Sequence, residues 1–251
     1  EDLVTLMRGL EGTQVRLVIA PGLQDVMPGR MRALTVTHGW TALIAVKTRR
    51  TRAAGKALFD RVAGAVGLAL ISPLLAATAI AIRIDSPGPV FYTQTRVGQN
   101  GKPFTMWKFR SMYTDSDARR ASVVKSGGDA GNEVMFKDRQ DPRITHVGRW
   151  IRRLSIDELP QLINVVRGDM SLVGPRPALP VEVAKYDAEA LRRLLVKPGL
   201  TGLWQISGRS DLSWASTVAL DRHYVENRGG ALDAKIFAGT LRAVIGGKGA
   251  Y

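Results

Sequence analysis

Two adjacent carboxylates, Asp157 and Glu158, closely follow the basic run Arg149-Trp150-Ile151-Arg152-Arg153. Neighbouring acids beside fixed cations can divide labour: one ionises and acts as nucleophile or metal ligand, while the other is tuned to handle protons. The same spacing has a purely structural account. Ser155 to Glu158 fits a capping box, and acids in a first helical turn complement the helix dipole. Pro160 counts against it, because in the second turn of a helix capped by Ser155 it would press on the Ile156 carbonyl. A helix start shifted toward Asp157 sets both acids where the chain enters the helix.

Gly174-Pro175-Arg176-Pro177 is a second constellation. Two prolines stiffen the backbone around Arg176 and fix where its guanidinium points, which suits bidentate capture of a phosphate; the alternative is a surface turn with an exposed arginine. Lys108-Phe109-Arg110 forms a third basic point, for which a solvated strand end is the default. Asp169 is either a ligand or a turn residue after Gly168. His38, His146 and His223 are isolated and have no metal-ligand spacing, and the absence of cysteine excludes disulfides, thiolate zinc sites and cysteine nucleophiles. No glycine loop followed by Lys-Ser/Thr is present, and no Ser-His-Asp set can be assembled.

The element that must position these groups is Val62–Ile82, which carries no charge. As a straight helix its roughly 21 residues would measure about 31 Å, close to the thickness of a bilayer's hydrocarbon core. Ser72-Pro73 at its midpoint predicts a kink, with Ser72 able to satisfy a carbonyl freed by the proline. Lys47, Arg49, Arg50, Arg52, Lys56 and Arg61 precede the segment, and Arg83, Arg96, Lys102, Lys108 and Arg110 follow it. Positive charge on both flanks predicts entry and exit by one face, as two half-helices of about 15 Å each. The competing expectation is a buried helix of a soluble core, although a core helix seldom runs so long without a polar face.

Around this segment, residues 1–46 read as a small α/β piece, with a strand at Val15–Ala20 and two β-leaning runs within Ala33–Val46. Residues 47–56 read as a basic linker. Strands are predicted over Val90–Gly98 and Pro103–Met112, and a surface helix and loop over Tyr113–Asn132. Helices are predicted over Val147–Arg153, Ser155–Val166, Val181–Val196, Leu212–Val225 and Ala231–Ile245, with a loop at Lys197–Gly208. The net charge of +14 points to an anionic partner: nucleic acid, an acidic leaflet or phosphorylated substrates. A basic nucleic-acid-binding or membrane-surface protein without catalysis is the rival class. The nucleic-acid version gives no account of residues 62–82, and no recognised nucleic-acid motif is present.

Taken together, the motifs resemble the bacterial sugar transferases, the polyprenyl-phosphate sugar-1-phosphate transferases of the monotopic phosphoglycosyl transferase superfamily. The resemblance covers roughly residues 55–251. It rests on Asp85-Ser86-Pro87-Gly88-Pro89-Val90-Phe91 with Gln94 and Arg96-Val97-Gly98, on Lys108-Phe109-Arg110-Ser111-Met112, and on Asp141-Pro142-Arg143-Ile144-Thr145. Ser155 through Gln161, Gly168 through Pro177 and Lys197 through Gln205 complete it. Two departures stand out: Ala57 follows Lys56 where the family usually has a Lys-Arg pair, and Arg228-Gly229-Gly230 follows Asn227 where an aromatic and a serine are common.

The resemblance implies an α+β, monotopic membrane protein. Its re-entrant hairpin would span residues 58–83, broken at Ser72 and Pro73, within a mostly helical catalytic domain at 57–251. Residues 1–46 would be the C-terminal part of a Rossmann-like domain in an N-terminally trimmed larger-type member. It also implies transfer of a sugar-1-phosphate from a UDP-sugar, UDP-glucose or UDP-galactose, to undecaprenyl phosphate on the cytoplasmic face of the bacterial inner membrane, in the first membrane step of exopolysaccharide, capsule or O-antigen synthesis. Asp157 would be the nucleophile, Glu158 its acidic partner, and Mg²⁺ the cofactor at Asp157 and Glu158. Arg152 and Arg176 match phosphate-binding positions, with Lys108, Arg110 and Asp169 as further candidates. Membrane lipids and a homodimer partner are implied, and no nucleic acid.

Overall fold

The computed structural model describes residues 31–36, 41–46, 53–116, 141–208 and 212–245. The chain divides into two units, Glu1–Arg49 and Arg50–Tyr251. In the first, β1 (Met31–Val36) and β2 (Thr41–Val46) form an antiparallel hairpin that pairs Met31 with Val46 and Val36 with Thr41. Both fall on or beside the β-leaning runs expected around Gly39. The expected strand at Val15–Ala20 lies outside the described residues, as does the Tyr113–Asn132 segment from residue 117 onward.

The second unit opens with α1 (Ala53–Asp85), whose 33 residues would extend about 50 Å if straight. It starts inside the stretch expected to be linker. The helix is continuous through Pro73, where two half-helices were expected. Ser72 Oγ donates to the Ala69 carbonyl at 2.8 Å, the group that Pro73 cannot serve. One stripe faces inward at helical spacing: Asp60, Gly64, Thr78 and Ile82 are buried, and Gly67, Ile71 and Leu75 are half-buried between them. The other faces expose Leu58, Phe59, Val62, Val66, Leu70, Leu74, Ile80 and Ile84. Only 11% of its most apolar window is buried, so α1 is not the core helix of the competing expectation.

After the Ser86–Pro89 break come β3 (Phe91–Val97) and β4 (Pro103–Phe109), an antiparallel pair in register from Phe91 opposite Phe109 to Val97 opposite Pro103. Helix α2 (His146–Arg153) is capped by Thr145, whose side chain accepts from the Gly148 N–H at 2.9 Å. A 3-10 turn at Ile156–Glu158 and α3 (Gln161–Arg167) follow, so the single helix expected over Ser155–Val166 is two pieces. Pro160 is the divider: it stands at the N-cap of α3, where a missing N–H costs nothing.

The rest comprises β5 (Ser171–Val173), α4 (Pro180–Val183), α5 (Ala188–Leu191) with a 3-10 turn to Leu195, β6 (Gly199–Thr201), α6 (Leu203–Ser207), α7 (Trp214–Asn227) and α8 (Gly230–Ile245). The helix expected over Val181–Val196 is thus interrupted, because Asp187 Oδ1 accepts the Ala190 N–H at 2.8 Å and starts a new helix. Strands β5 and β6 run parallel. Where they meet the Gly174-Pro175 turn, a Cβ on Gly199 would collide with the Gly174 backbone, so only glycine permits this approach.

Three apolar clusters hold the unit together: Ile82 with Phe109 and Ile151, Met106 with Val165 and Met170, and Val173 with Tyr224 and Ile236. The first joins the end of α1 to β4 and α2. Gly64 gives α1 its close contact with α3, since a Cβ there would lie 3.1 Å from Val165 Cγ1. At its start, Lys56 reaches Asp233 of α8 at 2.9 Å, and Asp60 accepts from Ser171 Oγ at 2.6 Å. At its end, Asp85 Oδ2 accepts the Val147 N–H of α2 at 2.9 Å.

Candidate active site

Asp157 and Glu158 sit on the 3-10 turn between α2 and α3. Ser155 before them adopts a left-handed conformation, φ 55° and ψ 23°, and its side chain caps nothing, so the capping-box account fails. A non-glycine residue in that region is mildly strained, and such residues concentrate at functional sites. The Glu158 carboxylate instead accepts from Lys108 Nζ of β4 at 2.7 Å. The register between β4 and α3 is pinned by the fully buried Asn164, whose amide donates to the Thr105 carbonyl at 2.7 Å and accepts the Trp107 N–H at 3.1 Å.

Burial, and next the adjacent Glu158 charge, push the Asp157 carboxyl up to about 6, against the opposing pull of Lys108 and Arg152. A carboxylate so placed is ionised at neutral pH and more basic than an ordinary surface aspartate.

Glu158 and Lys108 open onto a cavity of about 80 Å³ shared with Arg96, Gln161, Arg176 and Trp204. Arg176 is held by the buried Glu182, with Nη1 at 3.1 and 3.0 Å from its two oxygens. Glu182 also accepts the Leu179 N–H at 2.8 Å, which locks the Gly174–Pro180 turn. Arg96 on β3 donates through Nη1 to the Pro177 carbonyl at 3.0 Å and through Nη2 to Gln94 Oε1 at 2.7 Å. Burial, and next the Arg176 charge, lower its guanidinium to about 10, which leaves it protonated at neutral pH.

Of the residues singled out from sequence, Glu158, Lys108 and Arg176 converge on this cavity, and Asp157 adjoins it with Arg152 in its electrostatic field. Arg110 does not line it. Its guanidinium is buried against the exit of α1, donating to the Ser86 carbonyl at 2.7 Å, to Ser86 Oγ at 2.8 Å and to the Pro87 carbonyl at 3.1 Å. Asp169 also stands outside, 3.4 Å from the Asn164 amide at the end of α3.

Arg193 and Trp204, which amphipathic helices lying in the membrane plane were expected to bear along with Arg192, both turn inward. Arg193 is buried, 2.6 Å from Asp221, with Tyr186 and Trp214 rings at 5.4 and 5.3 Å. Trp204 lines the cavity from α6. Sequence reasoning placed none of Arg96, Gln161, Trp204 or Gln205 in the site. For Arg96 a signal existed: Gln94 and Arg96 are two apart on a strand and share a face.

Residues 26–247 match the family described as Bacterial sugar transferase. The chain belongs to that family. It is 43% identical over 198 residues to the Exopolysaccharide production protein ExoY of Rhizobium meliloti (strain 1021), covering 78% of this chain and 88% of that protein. Over 198 residues it is 42% identical to the Undecaprenyl-phosphate galactose phosphotransferase of Salmonella typhimurium, covering 78% of this chain but 41% of that protein. It is 44% identical over 209 residues to the Undecaprenyl-phosphate glucose phosphotransferase of Komagataeibacter xylinus, covering 78% and 37%. This bacterial sugar transferase therefore spans most of one kind of relative and less than half of another.

Among the described residues no group of three or more histidines, cysteines or acids could hold a metal. Two adjoining carboxylates are nevertheless a donor set that suits Mg²⁺, which binds through one or two carboxylates and completes its shell with substrate phosphates and water.

Proposed function

We propose that this bacterial sugar transferase moves a sugar-1-phosphate from a UDP-sugar, UDP-glucose or UDP-galactose, to undecaprenyl phosphate. In the first step a carboxylate oxygen of Asp157 attacks the phosphorus that bears the sugar. The bond from that phosphorus to the bridging oxygen breaks, and its electron pair leaves with uridine monophosphate. A phosphate oxygen of the acceptor then attacks the same phosphorus and releases the Asp157 carboxylate, giving the lipid diphosphate sugar. Both steps conserve protons, so Glu158 serves to hold Lys108 in place and to keep Asp157 basic. Arg152, Lys108 and Arg176 offset phosphate charge in a partly dry site, where fixed cations act most strongly. A Mg²⁺ held by Asp157 and Glu158 would neutralise diphosphate charge.

The observation that carries this reading is the acid pair set beside a cavity lined by Arg96, Lys108 and Arg176. The membrane side is supported by α1. Its exposed faces are apolar, while both its ends touch the same unit, through Lys56 with Asp233 and Asp85 with Val147. A helix crossing the bilayer would put those ends on opposite sides, whereas one that bends at Ser72-Pro73 without breaking would keep both, and the acid pair, at the cytoplasmic face of the inner membrane. The undecaprenyl-phosphate names of two relatives fit an acceptor held in a membrane.

The test is release of uridine monophosphate from UDP-glucose and UDP-galactose with undecaprenyl phosphate in detergent micelles. Asp157→Asn should abolish it, and unchanged turnover in the purified variant would remove Asp157 from the nucleophile's role.

A further inference from the structure

The cations around the cavity are unequally provided for. Lys108 has Glu158 at 2.7 Å, and Arg176 has Glu182 at 3.0 Å. Arg96 is only 9% exposed, makes no ion pair among the described residues, and its buried Nε–H has no acceptor. Its two hydrogen bonds go to neutral oxygens, and burial together with the Arg176 charge outweighs the more distant pull of Glu182 and Glu158. Such an arrangement is costly unless an anion shares it. Trp204, also lining the cavity, has its indole N–H buried without an acceptor among the described residues. An aromatic ring next to two guanidiniums is a combination that holds a nucleotide, with stacking for the base and forked donors for the phosphate.

We propose that this cavity seats the leaving nucleoside monophosphate half of the donor, with Arg96 and Arg176 on its phosphate and Trp204 against its base. The inference rests on the transfer described under Proposed function and divides the cations of that site between two phosphorus atoms. Asp157, Arg152 and Lys108 serve the one that is transferred. Arg96 and Arg176 serve the one that departs. When the bridging bond breaks, its electron pair stays on the nucleotide's oxygen, and a buried arginine meets that charge where water screens it least. The 80 Å³ cavity takes the phosphate, and the base lies across its mouth against Trp204.

The measurement is inhibition by uridine monophosphate in the full chain in micelles, mixed against UDP-sugar because the nucleotide meets both the free enzyme and the phospho-sugar enzyme. Arg96→Lys keeps the charge and loses the fork, and should raise the inhibition constant about tenfold while the acceptor KM stays within about twofold. Trp204→Leu should raise it about tenfold for uridine monophosphate but not for ribose 5-phosphate, which lacks a base. An unchanged inhibition constant with a raised acceptor KM in Arg96→Lys would assign Arg96 to the lipid phosphate and overturn the proposal. Should either variant fail to fold, amide exchange on the unaltered protein decides: uridine monophosphate should slow exchange around Gly199–Gln205 and leave His146–Leu154 unchanged, and the reverse refutes the seat. That readout needs no turnover. An unaltered protein that binds the nucleotide there yet transfers no sugar phosphate would sink the reading of the reaction and leave the seat standing.

Discussion

Asn164→Leu should loosen the active site without touching it. Asn164 is fully buried and serves as the missing neighbour of β4, giving its amide hydrogens to Thr105 and accepting from Trp107. Leucine matches its size but takes the partner from one carbonyl and one N–H that are only partly buried. Partial access to water limits the penalty, so the variant should lose about 1–3 kcal/mol in all, partly offset by the added apolar burial. The Thr105–Trp107 backbone would shift to find water, and Lys108 is the next residue along. The 2.7 Å contact from Lys108 to Glu158 should lengthen with it. Urea unfolding in a non-ionic detergent, followed by tryptophan fluorescence, reads the stability loss. Turnover at saturating substrates should fall by at least about tenfold, as expected when fixed groups lose their geometry. A loss under about 1 kcal/mol with full turnover would refute the idea that this one side chain sets the distance between strand and acid pair.

Three further outcomes follow from local chemistry. Gly88 has φ of +121° and a Cβ there would overlap Arg110 Nη1, so Gly88→Ala should cost at least about 2 kcal/mol in the same urea assay. Asp157 must be ionised to attack and its carboxyl is raised to about 6, so kcat/KM should fall as pH drops through that value. Because Lys108 pulls this carboxyl down, Lys108→Met should move the acid limb to higher pH, and a limb moving lower would contradict the assignment. Burial raises Asp221 from 3.8 to about 6 despite Arg193. Between those values the folded state binds more protons than the unfolded one, so this group's contribution to stability falls as pH rises through the window. Asp221→Asn removes the titrating group and should flatten the dependence across that window in thermal melts.

Local signals were legible where one kind of force acts alone. The extended run of Phe91–Val97, the apolar run of α1, the closing pair of helices and the proline-stiffened Arg176 turn all declare themselves in short windows. Ser155–Val166 misled, because a left-handed serine and a proline at an N-cap look like continuous helix when only spacing is considered. Val181–Val196 misled for a different reason. Its apolar and basic residues suggest one continuous amphipathic helix, yet Arg193 turns inward because Asp221, on α7, is there to receive it.

The sequence by itself determined the family, the apolar helix and the acid pair with its basic neighbours, because each depends on residues close together in the chain. Only the tertiary structure decided which cations share a cavity. Arg96, Lys108, Arg176 and Trp204 come from β3, β4, the turn after β5 and α6, and no spacing along the chain joins them. The direction of a buried guanidinium is set by the oxygens packed around it, and those belong to other elements. For the same reason Arg110, adjacent in sequence to the Lys108 strand end, became a clamp on the exit of α1 rather than part of the site.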